Sequence, residues 1–214
     1  MINNKRIKSH QLYILQLIFF INFADKYNYM NSFDKQKLTE IVLYILNKTN
    51  GLDYYHVFKV IYFANIVHLA KYGFRMTTDE FCALPDGPVP SILYNCIKDD
   101  AAHCDTELKS MIAECVDKGT DDAYYMLTAK RPADMDYLSK AEVEEIDKSI
   151  KENARLPYGD LKAKSHGAEW HKAFYNAKPG RKIMDVIGMA KDGMASDEMV
   201  EYIKDNLAIE KALS

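Results

Sequence analysis

The residues best placed to do chemistry lie at Ser165-His166-Gly167-Ala168-Glu169-Trp170. A histidine between a hydroxyl and a carboxylate has the makings of a general base, its ring oriented by Glu169 or Ser165. No nucleophile accompanies it. A serine nucleophile needs an elbow such as GxSxG, which the sequence lacks, and Val89-Pro90-Ser91 sets its serine behind a proline with no base beside it. The structural reading therefore leads: Ser165 or His166 caps a short helix, and the single tryptophan, Trp170, anchors it to the core. A phosphate cradle needs a glycine loop that offers backbone N–H groups ahead of a helix. Asp86-Gly87-Pro88-Val89-Pro90 has that position, but its two prolines remove two donors and Asp86 repels an anion.

Metal chemistry fares no better. The cysteines at 82, 96, 104 and 115 form no CxxC pair, His103-Cys104 is adjacent, and His166 and His171 are five apart, so none has the spacing of a metal-binding helix. Asp79-Glu80 and Asp99-Asp100 are sequence neighbours that point apart and read as solvated surface. Scattered reduced thiols suit the cytosol and a structural role. The expectation is a cytoplasmic protein with no metal, no cofactor and no catalytic constellation, which is not an enzyme.

The elements that position these residues are mostly helical. Asp34 caps a helix running to Lys48, with Leu38, Ile41, Val42, Ile45 and Leu46 on one face, and Asn50-Gly51 ends it. The next helix, Tyr54 to Tyr72, is apolar nearly all round, and its polar residues His56, Lys59, Asn65 and His68 share no stripe. A helix without a wet face is a central, buried one. Gly73 closes it. Between Arg75 and Leu84 one or two short strands are expected, then a turn at 86–90, with Pro90 opening a short helix from Ser91 to Lys98. A charged stretch, 99–121, carries a helix over Thr106–Val116, and Tyr124–Leu127 reads as a further strand. Ser139-Lys140-Ala141-Glu142 is a capping box, followed by a buried face of Val143, Ile146 and Ile150. Helices at 158–164 and 167–175, a stop at Lys178-Pro179-Gly180, and helices at 181–191 and 197–212, the last capped by Ser196, complete the chain. The fold class is mostly α within α+β: a compact helical domain around a buried central helix, with an antiparallel β element of two or three strands.

Composition bounds the partners. The 214 residues are 48% hydrophobic and 28% charged, enough for a packed core without staples. A net charge of −3 and a pI near 6.1 argue against direct nucleic-acid binding by phosphate neutralisation. The first 29 residues differ from the rest. Lys5, Arg6 and Lys8 precede an apolar run from Leu12 to Phe23 that resembles a signal peptide, but Gln16 and Asn22 interrupt it, and it is too short to span a bilayer, which needs ~20 residues. Ile, Asn, Lys, Tyr and Phe dominate this stretch, as AT-rich codons would dictate. The expectation is an upstream extension, 1–29, with the natural start at Met30; the alternative is an amphipathic helix, 9–23, packed on the domain.

Six ordered blocks carry a resemblance. They are Leu38-x-x-Ile41-x-x-Tyr44-Ile45, Lys59-x-x-Tyr62-Phe63-Ala64, Thr77-x-Asp79-x-Phe81-x-Ala83, Gly87-Pro88-Val89-Pro90-x-x-Leu93-Tyr94, Asp136-x-Leu138-Ser139-x-x-Glu142 and Leu161-x-x-x-Ser165-His166-x-x-x-Trp170. Together they resemble the Panacea, or SocA-like, antitoxin domain over about 34 to 175. The resemblance implies a bacterial or prophage antitoxin that neutralises a toxin encoded by the adjacent gene through direct contact, in the cytosol and without a membrane. A relative that delivers its toxin to the ClpXP protease supplies the alternative, a proteolytic adaptor. The sequence departs from the pattern in having no recognisable fused DNA-binding module, and in carrying the leader and the insertion at 99–121. The motif residues Lys59, Tyr62, Asp79, Phe81, Ala83, Gly87, Pro88, Val89, Leu93, Tyr94, Leu138, Ser139, Ser165, His166 and Trp170 are read as mainly structural. Partner specificity is then expected in exposed segments.

Overall fold

The computed structural model describes residues 30–100, 102–120, 125–176 and 182–213. The leader 1–29, its expected helix 9–23 and the expected stop at 178–180 lie outside the described residues. Residues Ser32–Ser214 form one compact unit.

Helix α1 (Ser32–Thr49) begins two residues before the expected cap, so Asp34 sits in its first turn, where it still favours the helix dipole. The face carrying Leu38, Ile41, Val42, Ile45 and Leu46 is buried, as its spacing requires. Helix α2 (Tyr54–Tyr72) is capped by Asp53, whose carboxylate accepts from the His56 amide at 3.0 Å, and ends on Gly73 in the left-handed region at φ 78°. Val57, Phe58, Val60, Ile61, Tyr62 and Ala64 are wholly buried, and so are Lys59 and Asn65. Most of the remaining elements pack against this helix.

Strands β2 (Phe81–Leu84) and β3 (Gly87–Pro90) form an antiparallel hairpin, with Phe81 opposite Pro90 and Leu84 opposite Gly87. The expected turn at 86–90 is therefore mostly strand. Two prolines suit this strand because its partner faces only one edge. On the outer edge of β2 the Ala83 amide donates to the Lys182 carbonyl and the Met184 amide to the Phe81 carbonyl, both at 2.8 Å. That pairing corrects the expected helix at 181–191. The chain stays extended to satisfy the strand edge, and helix α8 (Val186–Asp192) starts only after Asp185 has capped it.

Pro90 precedes helix α3 (Ser91–Ile97) instead of opening it, and supplies no side-chain cap. The cap comes from Asp79, wholly buried, whose carboxylate accepts from the amides of Ile92 (2.9 Å) and Leu93 (3.0 Å) and from the Ser91 hydroxyl (3.3 Å). Thr77 accepts from the Asp79 amide and fixes the turn. The insertion holds helix α4 (Thr106–Cys115), capped by Asp105. Strands β1 (Leu52–Asp53), β4 (Val116–Lys118) and β5 (Met126–Ala129) form a second antiparallel sheet in the order β1-β5-β4. The expected strand at 124–127 lies two residues too early, and its first residue falls outside the described ones.

A 3-10 turn (Met135–Tyr137) leads into helix α5 (Lys140–Asn153). The capping box is formed: the Glu142 amide donates to the Ser139 hydroxyl at 3.2 Å, and the Ser139 amide to the Glu142 carboxylate at 2.8 Å. The buried face is not the expected one. Ile146 is buried, while Val143 and Ile150 are half-buried, and Glu142, Glu145, Ser149 and Asn153 take the interior positions. They are tolerated because each is paired: Ser149 donates to the Val60 carbonyl of α2 at 2.8 Å, Asn153 to the Ser149 carbonyl, and Glu145 accepts from Lys71 at 2.7 Å. Helices α6 (Tyr158–Ser165), α7 (Ala168–Asn176) and α9 (Asp197–Leu213) complete the unit. The fold is α+β and mostly helical, with two small antiparallel sheets where one β element was expected.

Replacing Asp79 with Ala leaves buried amide donors at the start of α3. The unfolding free energy is expected to fall by about 2–3 kcal/mol in a urea titration; a loss under about 0.5 kcal/mol would show that α3 does not depend on this cap.

Candidate functional site

Four of the six family blocks meet where the β2–β3 hairpin packs against α2 and α6. Lys59, from the middle of α2, is wholly enclosed, and its ammonium donates to the Pro88 carbonyl at 2.7 Å while lying 4.8 Å from the centre of the Tyr55 ring. Burial in this apolar setting pushes its pKa down to about 7, partly offset by the Asp86 carboxylate and reinforced by Lys162. Asp86, at the hairpin turn, pairs with Lys162 at 2.8 Å. Burial raises its carboxyl, but hydrogen bonds from Lys162 and Tyr158 outweigh this and hold it below the usual range.

Gly87 is the geometric key. Its φ is +95°, and a Cβ there would come within 2.3 Å of the Ser165 hydroxyl and 3.0 Å of the Lys59 nitrogen. Only glycine lets the hairpin backbone settle between α2 and the end of α6. Ser165 closes the far side by donating to the Lys162 carbonyl at 2.9 Å.

The ring of His166 stacks on Trp170 at 3.5 Å between centres and 5° between planes, and Trp170 in turn stacks on Phe174 at 4.8 Å. The indole N–H donates to the Leu84 carbonyl at 3.0 Å, which ties α7 to the hairpin. Burial, followed by the charges of Lys162 and Lys59, lowers the pKa of His166. Glu169 does not orient this histidine: it accepts from the Asp185 amide at 2.8 Å and pairs with Lys172. Neither Ser165 nor His166 caps α7. That role falls to Asp192, whose carboxylate accepts from the amides of Ala168 and Glu169 at 3.1 and 3.0 Å.

The other motif residues lie around this node. Tyr62 packs edge-on against Phe81 at 5.5 Å, Ala83, Val89 and Leu93 are buried, and Tyr94 lies 5.9 Å from Phe58. Leu138 and Ser139 sit apart, at the start of α5. Lys59, Gly87, Pro88, Ser165, His166 and Trp170 are thus gathered into a single junction of four elements. It is an interlocked junction in which the Lys59 ammonium, the Ser165 hydroxyl and the Trp170 N–H each donate to a backbone carbonyl, while Nε2 of His166 is buried without a hydrogen-bond partner.

Two further features escape sequence reading. Glu40, wholly buried on α1, is gripped by both terminal nitrogens of Arg131 (2.9 and 2.6 Å) and by the Asp134 amide (2.7 Å). Burial disfavours its charged form, but these bonds prevail and hold its carboxyl low. Gln36, one turn earlier, also donates to Glu40, but nothing local named Arg131 as its partner. Cys96 and Cys104, dismissed on spacing, bring their sulfurs to 3.3 Å. Among the described residues no group of three or more His, Cys, Asp or Glu side chains is arranged to hold a metal ion.

Residues 57–171 match the antitoxin SocA-like, Panacea domain, a stretch that begins on α2 and ends on α7. The chain belongs to this family, and an antitoxin-like role in the broad sense comes with it. No curated protein and no solved structure matches the chain. Among the described residues no helix is long and apolar enough to cross a membrane.

Substituting Gly87 with Ala is expected to cost about 2 kcal/mol or more, since it adds left-handed strain to a clash. The control, Gly159→Ala, meets nothing within 4 Å and should be near neutral; equal melting temperatures for the two variants would refute the junction's tightness. Lys59 provides a pH test. Free lysine titrates near 10.4, and Lys59 at about 7 in the folded chain. Between those values the unfolded chain binds the extra proton, so the stability contribution of Lys59 rises with pH over that window. The unfolding free energy of the wild type minus that of Lys59→Met is expected to climb by roughly 1 kcal/mol per pH unit from pH 7.5 to 9.5. A flat difference would mean that the buried amine keeps an ordinary pKa.

Proposed function

We propose that this protein is the antitoxin of a bacterial or prophage toxin–antitoxin pair, and that it neutralises a toxin encoded beside it by covering part of the toxin's surface. It does no chemistry of its own and needs no cofactor. The observation that carries this reading is the family match over 57–171. The burial of the matched motif supports the mode of action. A family whose shared residues are enclosed shares a scaffold, and its recognition must then lie on exposed side chains that vary with the partner.

Large apolar side chains stand on the exterior for such contact. Phe33 is 59% exposed on α1 and lies 5.4 Å from Tyr137. Phe74 is 52% exposed and meets Tyr202 of α9 edge-on, and Tyr175 is 69% exposed on α7. Exposed aromatics are the residues most often found at the centre of protein interfaces. The adaptor alternative, delivery of the toxin to a ClpXP-type protease, makes the same first contact and differs only in the toxin's fate.

The test is to express the neighbouring open reading frame alone and with this protein. Growth arrest is expected alone, growth is expected to recover on co-expression, and the two proteins should purify together in a fixed ratio. Arrest that persists on co-expression, or a harmless neighbour, would refute the antitoxin reading. Rescue that requires an active protease, together with a shortened toxin half-life, would replace masking with delivery.

A further inference from the structure

Cys96 lies in the last turn of α3 and is almost completely buried, whereas Cys104, just before the Asp105 cap of α4, is partly exposed. The Cys104 thiol donates to the Cys96 sulfur at 3.3 Å, and both sulfurs approach the Asp105 carbonyl, at 3.4 and 3.5 Å. The other two cysteines are placed differently. Cys82 is buried in β2, and Cys115 donates to the Met111 carbonyl of its own helix at 2.9 Å. None of the four is in a disulfide.

We propose that Cys96 and Cys104 form a reversible intramolecular disulfide on reaction with a low-molecular-weight disulfide such as oxidised glutathione. The sulfurs need to approach by only about 1.3 Å to reach a bond of about 2.0 Å. The order of events follows from access. The Cys104 thiolate attacks a sulfur of the small disulfide and expels one thiolate, which leaves a mixed disulfide at Cys104. Cys96, having lost its proton, then attacks the Cys104 sulfur and expels the second thiolate. The two protein thiols give up two electrons and two protons, and the small disulfide becomes two thiols. Burial, and then the neighbouring Cys104, hold the Cys96 thiol well above its usual pKa, which keeps it from reacting first.

The bond would cyclise residues 96–104 and tether the approach to α4 at the point where Asp105 caps the helix and pairs with Lys35 at 2.9 Å. It places a covalent modification at Cys104, within the 99–121 insertion and just before α4. This inference concerns the chain alone and stands or falls independently of the toxin.

The test treats the full, reduced chain with oxidised glutathione, quenches with acid, unfolds it and alkylates it with N-ethylmaleimide before intact-mass and peptide mapping. The expected product takes up two maleimides instead of four, carries no glutathione, and links the peptides bearing Cys96 and Cys104; loss of these two thiols should be about tenfold faster than loss of Cys82 and Cys115. In Cys96→Ser the intermediate is expected to be trapped as a glutathione adduct on Cys104, and in Cys104→Ser neither adduct nor link should form. Circular dichroism confirms that both variants are folded. Four maleimides on the treated wild type, a lasting glutathione adduct with no internal link, or a link to Cys82 or Cys115 would each overturn the proposal.

Discussion

The structure depends on one constraint: α2 is buried along most of its length, yet it carries polar side chains at interior positions. Such groups call for partners inside the protein, because a buried polar atom left unpaired costs free energy comparable to a lost hydrogen bond; the side-chain nitrogen of Asn65 is left without one. Lys59 meets the Pro88 carbonyl, the Asn65 side chain accepts from the Met76 amide at 2.9 Å, and a ring nitrogen of His68 lies 2.9 Å from the Phe74 carbonyl. These bonds fasten strand β3, at Pro88, and the stretch 74–76 to the central helix. The polar residues that looked scattered along α2 are therefore the points at which the hairpin and its approach are registered. The surrounding apolar contacts supply the driving force, while these few bonds select one arrangement among many greasy ones.

A second regularity is the supply of helix caps across long sequence distances. Asp79 serves α3, and Asp192 serves α7. A carboxylate presented to the amides at a helix start satisfies donors that the helix itself cannot. When it comes from another element it also fixes where that helix points. The acids of Thr77-x-Asp79 and of the C-terminal helices thus build the scaffold. The His166–Trp170 stack fits the same pattern: the imidazole is held flat against an indole that is itself hydrogen-bonded to the hairpin.

Much of this was legible in the chain. The periodicity of α1, the apolar run of α2, the capping box at Ser139 and the two short helices after Tyr158 all follow from local rules, because i to i+4 spacing and cap chemistry act within a few residues. The family blocks were legible too, and four of the six fall on the elements around Gly87. The errors centre on β2. The strand at 87–90 is set by its hairpin pairing with β2, and the extended segment at 182–184 and the late start of α8 by hydrogen bonds between β2 and chain about a hundred residues away, which no local window contains. The polar interior face of α5 is set in the same way, by α2 lying against it.

The sequence by itself determined which segments are helical, which helix is central, and that the recurring motif is apolar or conformational in character. Those properties reside in residue type and short spacing. Tertiary structure alone decided that Lys59, Gly87 and Ser165 share one junction, that Glu40 holds Arg131, that Asp79 and Asp192 cap helices not their own, and that Cys96 and Cys104 touch. These pairings join residues whose separation along the chain says nothing of their distance in space, and only the packing of α2 against its neighbours brings them together.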